Sequence, residues 1–152
     1  MRTSWDFNDG LQGWIFTADD ATKTGDGASQ RLNIYSSSGT FVNAYWRHLT
    51  PGLVAVTGAT FQGTAFHNGN NFMKMRITYT DLTSNVTTET GTGSWPRVIS
   101  VTVTAGNNGK EVLRISWEGE PVRNTGHWFD NASITGFIVP VSVNSGPVIQ
   151  VI

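Results

Sequence analysis

Apolar and polar positions alternate along most of the chain, and no stretch keeps a helical period for three turns. Ser4–Phe7 and Trp14–Thr17 flank the turn NDGLQG, and SQRLNIYS sets Leu32 and Ile34 against Arg31 and Asn33 before a Ser/Gly break. TFVNAYWRHL runs to Pro51-Gly52, a turn pair that predicts the end of a strand. LVAVTGATFQG and FMKMRITYTD follow, then RVISVTVTA and EVLRISWEG, whose GNNGK connection predicts a hairpin at Asn108-Gly109. The last strand is GHWFDNASITGFIV. Nine or ten short strands with this spacing predict an all-β, two-sheet antiparallel sandwich.

Parity within each strand sorts the faces. In FMKMRITY the apolar set is Met73, Met75, Ile77 and Tyr79, which leaves Lys74, Arg76 and Thr78 on the other side. In EVLRISWE, Leu113, Ile115 and Trp117 leave Arg114 and Ser116 outward. In FVNAYWRHL, Val42, Ala44 and Trp46 form one inward set with Asn43, Tyr45 and Arg47 outward; Phe41, Tyr45 and Leu49 form a competing set. The first choice gathers Tyr45, Arg47, Arg76 and Arg114 on one sheet face as a candidate sugar groove. There an aromatic face would cover the C–H side of a sugar while Arg and Asn donate to hydroxyls. The plain alternative is a set of solvated strand residues. Cations in such a groove favour acidic sugars, unless they pair with Glu118 and Glu120. Trp95, in the Gly-rich loop TGTGSWPR, is either a lid over the sandwich edge or an exposed platform, the latter making it a fifth candidate ligand contact. Trp5, Trp14 and Trp128 are expected in the core.

Composition supports the β reading and narrows the function. The 152 residues suit one domain. Gly, Thr, Ser, Asn and aromatics are abundant where helix formers are few. With 10 Lys+Arg against 11 Asp+Glu and no run of either sign, there is no basic face for nucleic acid. Cysteine is absent, so disulfides and thiolate metal sites play no part. No segment approaches a membrane span, and MRTSWDFNDG lacks the apolar stretch of a signal peptide. His48, His67 and His127 are scattered without metal-ligand spacing. Glu118 and Glu120 sit about 7 Å apart by strand geometry, a glycosidase-like separation, yet rim carboxylates before Pro121 read more simply as solubilising charges. No nucleophile elbow or phosphate loop is present, so no catalysis is expected.

Three stretches, in order, carry a resemblance. WDFNDGLQGW, HLTPGLVAVTGATF and FDNASITG resemble the opening, middle and closing motifs of carbohydrate-binding modules with the galactose-binding-like jelly roll, over residues 4 to about 138. The resemblance implies a jelly-roll sandwich, often with one structural calcium at its edge. Asp130 matches the first Asp of the closing motif and Asn8 stands at the place of the opening Glu. Asp26, in TGDGAS, lies where loop oxygens are often supplied. Asn8, Asp26 and Asp130 are therefore the candidate calcium ligands, the alternative being that Asp130 caps a turn.

Residues 1–139 are read as the jelly-roll module and 140–152, PVSVNSGPVIQVI, as an apolar tail. That tail is either a linker remnant or an arm reaching a neighbouring chain. The combined expectation is a non-catalytic module displayed on a larger assembly such as a phage virion, extracellular or on the virion surface, binding glycans. The alternative is a decoration protein that docks to a capsid or tail lattice without binding sugar.

Overall fold

Where β-branched and aromatic residues alternate with polar ones, the chain pairs into sheets, because one pleated face is then buried and the other wetted. The computed structural model describes residues 2–17, 23–26, 31–36, 43–67, 72–91, 94–120 and 125–140. These residues form β1 (Ser4–Trp5), β2 (Ile15–Thr17), β3 (Lys23–Asp26), β4 (Leu32–Ser36), β5 (Asn43–Val54), β6 (Thr60–Phe66), β7 (Phe72–Tyr79), β8 (Ser84–Thr90), β9 (Arg97–Thr102), β10 (Glu111–Gly119) and β11 (Thr125–Thr135). One sheet runs β3-β4-β11-β6-β9, with β1 also on β11; the other runs β2-β5-β10-β7-β8. All pairings are antiparallel, so the architecture is the expected two-layer sandwich.

The two layers meet over aromatic rings. Trp117 from β10 lies 5.4 Å from Phe129 of β11 at 13°, and Trp14 touches Trp5, Phe7, Phe61 and Phe129. Burying rings of this size dominates the energetics of a chain this long. Trp5 and Trp14 are core residues as expected. Trp128 is not: its parity on β11 is opposite to that of buried Phe129, and it stacks on Phe66 outside the six-stranded sheet.

Four local expectations change. Asn108-Gly109 does not close a hairpin, because β9 pairs with β6 in one sheet and β10 with β5 and β7 in the other. The connection crosses between layers through a 3-10 turn, Ala105–Asn107. The strand containing Pro51-Gly52 does not stop there: β5 continues to Val54, with an irregularity against β10 that absorbs the missing proline donor. Asp26 lies in β3, opposite Asn33, and not in a loop. β8 is an additional strand, SNVTTET; it is an edge strand with no fully buried residue, so it carries no apolar alternation to betray it. Of the expected apolar tail, residues 140–152, all but Pro140 lie outside the described residues.

Candidate functional site

The outer face of the five-stranded sheet follows from its register, since residues directly opposite one another point to the same side. One row across it reads Ile15, Trp46, Ser116, Arg76, Val86. The next reads Ala44, Glu118, Lys74, Thr88, and the one on the other flank His48, Arg114, Thr78, Ser84. Ala44, Trp46, Arg114, Ser116 and Glu118 enclose a hollow of about 210 Å³.

Trp46 is half-buried here, braced edge-on by the His48 ring at 4.5 Å. The Arg114 guanidinium stands 5.3 Å from its ring centroid. Arg76 donates from Nε to one oxygen of Glu118 at 2.7 Å and from Nη2 to the other at 3.4 Å, and from Nη1 to Ser84 at 3.2 Å. The Ser116 hydroxyl donates to Glu118 at 3.3 Å. The hollow thus has an apolar aromatic wall, a charged fork of donors and a carboxylate held in place by its neighbours. Such a lining suits a ligand with one C–H face and a polar rim.

Of the expected groove residues, Arg76 and Arg114 are on this face and Tyr45 and Arg47 are not. Tyr45 is 0 % exposed, packed 6.0 Å from Trp117, with its hydroxyl donating to the Asn33 carbonyl. The competing parity set is the one adopted, since Leu49 is also buried. A phenol with a backbone acceptor in reach is cheaper to bury than an indole, whose N–H would need one as well. Arg47 shares the parity of Tyr45 and lies at the sandwich rim, donating to the Gln12 carbonyl and standing 5.4 Å from the Trp5 ring centroid. Burial there holds its pKa below the ordinary arginine value. Gly13, with φ of 83°, makes room for it, because a Cβ at that position would collide with the guanidinium. Trp46, placed inward from the sequence, is the outward aromatic; the even spacing of Phe41, Tyr45 and Leu49 was the available signal.

Trp95 takes the lid position. It packs against the core, stacked 5.6 Å from His67 and covered by Arg97 at 4.1 Å.

Of the expected calcium ligands, Asp26 lies apart from Asp130 across β4, while Asn8 bonds Asp6, whose charge acts on Asp130. Asp130 lies where β11 changes edge partner, from β4 over Thr125–Phe129 to β1 over Ala132–Ser133. Asn131 has φ of 51° at this break, and the register against β6 shifts here as well. The two Asp130 oxygens accept from the Asn131 backbone N–H at 2.7 Å and its amide at 3.2 Å, which is the turn-cap arrangement. Burial raises the Asp130 pKa, and the neighbouring Asp6 charge raises it further against the opposing pull of the Asn131 N–H and Arg31. Asn8 donates to Asp6, both from its backbone and from its amide, and Gln12 donates to Asp6 at 2.7 Å. Asp26 is separated from β11 by the whole of β4. All four carboxylate oxygens of Asp6 and Asp130 already accept N–H groups, and no group of three or more His, Asp or Glu assembles among the described residues. A calcium ion wants six to eight oxygens, and the carboxylate oxygens that Asp6 and Asp130 would offer it are here held by N–H groups. A second hollow of about 240 Å³ adjoins this junction, lined by Arg2, Asp6, Asn131, Ser133 and their neighbours.

No protein-family model and no curated protein matches the chain. Solved structures do. A structure reported as the basis of promiscuous specificity in carbohydrate-binding modules of the β-sandwich superfamily aligns with TM-score 0.63 at 13% identity, over 88% of this chain and 62% of that one. The chain therefore spans less than two thirds of that protein's length. A family 4 carbohydrate-binding module aligns with TM-score 0.64 at 16% identity, over 86% of this chain and 96% of that one. The enzymatically active domain of tailspike protein 4 from bacteriophage CBA120 aligns with TM-score 0.54 at 8% identity, over 84% of this chain and 20% of that one. Among the described residues no helix is long and apolar enough to cross a membrane. Identities this low establish architecture alone: the chain has the β-sandwich fold of the carbohydrate-binding modules.

Proposed function

We propose that the chain is a non-catalytic glycan-binding module that holds a saccharide on the outer face of its five-stranded sheet. The observation that carries this reading is the outward Trp46, walled by Arg114, Ser116 and Glu118 around one hollow. A sugar ring there loses water from its C–H face against the indole and keeps its hydroxyls bonded to serine, arginine and glutamate. The carbohydrate-binding modules that share the fold support it. The non-catalytic part rests on Glu118: its carboxylate is gripped at both oxygens by Arg76, which suits an acceptor and disfavours a proton shuttle.

The test is affinity electrophoresis against a panel of soluble polysaccharides. Trp46→Ala should abolish retardation at unchanged melting temperature, whereas Trp95→Ala should leave retardation intact. Retardation that survives Trp46→Ala would place the ligand elsewhere.

The likeness to a phage tailspike domain favours a second reading, a decoration module docked in a virion, extracellular in either case. In that reading removal of residues 141–152 abolishes assembly and spares the fold, and the Trp46 variant assembles normally.

A further inference from the structure

We propose that the hollow selects an anionic sugar, a uronate within a polysaccharide, through Arg114; this deepens the glycan-binding reading and rests on it. The argument is one of charge left over. Within the three rows of the outer face, Lys74, Arg76 and Arg114 stand against a single carboxylate, Glu118. The chain as a whole is slightly acidic, at net −1, so this face is a local concentration of positive charge. Arg76 is already satisfied: Glu118 takes two of its nitrogens and Ser84 a third. Arg114 is different. Among the described residues no carboxylate lies within ion-pair distance of it, and its guanidinium rests on the Trp46 ring. Lys74, opposite Glu118 on β7, likewise makes no ion pair there and lies 4.5 Å from the Phe72 centroid.

A guanidinium presents a planar fork of donors that matches a carboxylate at two points, and its partial desolvation against an indole strengthens that match. A ring occupying the hollow meets the indole with its C–H face and Arg114 at its rim, where the carboxylate of a uronate is carried. Ser116 and Glu118 remain for hydroxyls. A neutral hexose would fill the same space and leave the fork to water. Glu118 does not compete for Arg114, since it stands four residues along the strand, about 13 Å away by strand rise, and is held by Arg76 from the neighbouring strand.

The experiment compares polygalacturonate with its carboxyl-reduced counterpart, which keeps the linkage and loses only the charge, together with a neutral galactan. Titration calorimetry of the intact chain should give at least about tenfold tighter binding to the charged polymer, the difference expected for one charge-assisted hydrogen-bonded contact. Arg114→Gln should bring the two polymers to within about twofold of each other while neutral binding persists, and Arg114→Lys should retain part of the preference. Trp46→Ala should remove binding to both. Equal affinity for the two polymers, or a preference that survives Arg114→Gln, overturns the assignment and leaves glycan binding standing. Binding to none of the three polymers, nor to a broader panel that includes other uronates, overturns the assignment together with the reading beneath it. Melting curves for each variant separate loss of contact from loss of fold.

Discussion

His127 is 1 % exposed, with its ring 4.4 Å from that of His67 and the backbone of Gly119 close against it. Burial pushes its pKa down to about 4, with the His67 charge adding to the shift against the pull of the Glu120 and Gly126 backbone. The unfolded chain takes up this proton near pH 6.5 and the folded chain only near pH 4. Below the unfolded value the unfolded state therefore binds more protons, and stability falls as the pH drops through that window, by up to about 3 kcal/mol. Asp130 opposes this weakly, because its raised pKa favours the folded state on acidification. Chemical denaturation between pH 7 and 4 should show the loss, and a His127→Phe variant that still folds should flatten it; an unchanged slope would detach the effect from this pair. Neither buried histidine was legible in the sequence, where both read as isolated polar residues. Only the pairing of β11 with β6, which sets Trp128 opposite Phe66, reveals that the two meet. The reversal of Tyr45 and Trp46 has the same root. Two adjacent aromatics obey one parity, and the deciding partner is the Asn33 carbonyl on the other sheet.

Among the elements, β11 shows how a charged residue enters a buried strand. Its edge is shared by β4 and β1, and the gap between them falls at Asp130 and Asn131. The acid is therefore placed where no ladder partner stands on that side. Asp130→Ala should cost about 1 kcal/mol through the lost cap, equally with and without a chelator, in thermal melts. A chelator-dependent difference would restore a metal to this junction. Alternation made β7 readable, because its inner residues are uniformly apolar; on β10 it placed Ile115 and Trp117 but not Leu113, since the register shift beside it buries Val112 instead. It failed on β8, which buries nothing completely, and on the Asn-Gly turn, whose local preference was overridden when β9 and β10 joined different layers.

Across the whole molecule, the sandwich was legible because turn spacing and composition both demand it, and neither depends on register. The candidate face was half legible: Arg76 and Arg114 follow from the alternation of β7 and β10, while the aromatic beside them required the three-dimensional pairing. For the expected metal set, a motif aligned along a sequence does not say which oxygens already accept hydrogen bonds, as those of Asp130 do. On the proposed reading, the preference among sugars would rest on side chains at the centre of the sheet, where Arg76 of β7 pairs with Glu118 of β10.

The Ile134 amide donates to the carbonyl of Thr3, and four residues later Ile138 exchanges hydrogen bonds with Val54. The beginning of β1 and the end of β11 are thus neighbours, and Pro140, six residues past Ile134, lies within about 22 Å of that pairing by chain reach. A bridge of some eight residues from Pro140 back to Thr3 would span them, and new termini opened at the exposed Leu82 turn would sever no sheet pairing. Such a circular permutant should fold, with the hollow beside Trp46 intact. The same geometry would let the module be spliced into a surface loop of a carrier protein, with its five-stranded sheet still facing outward.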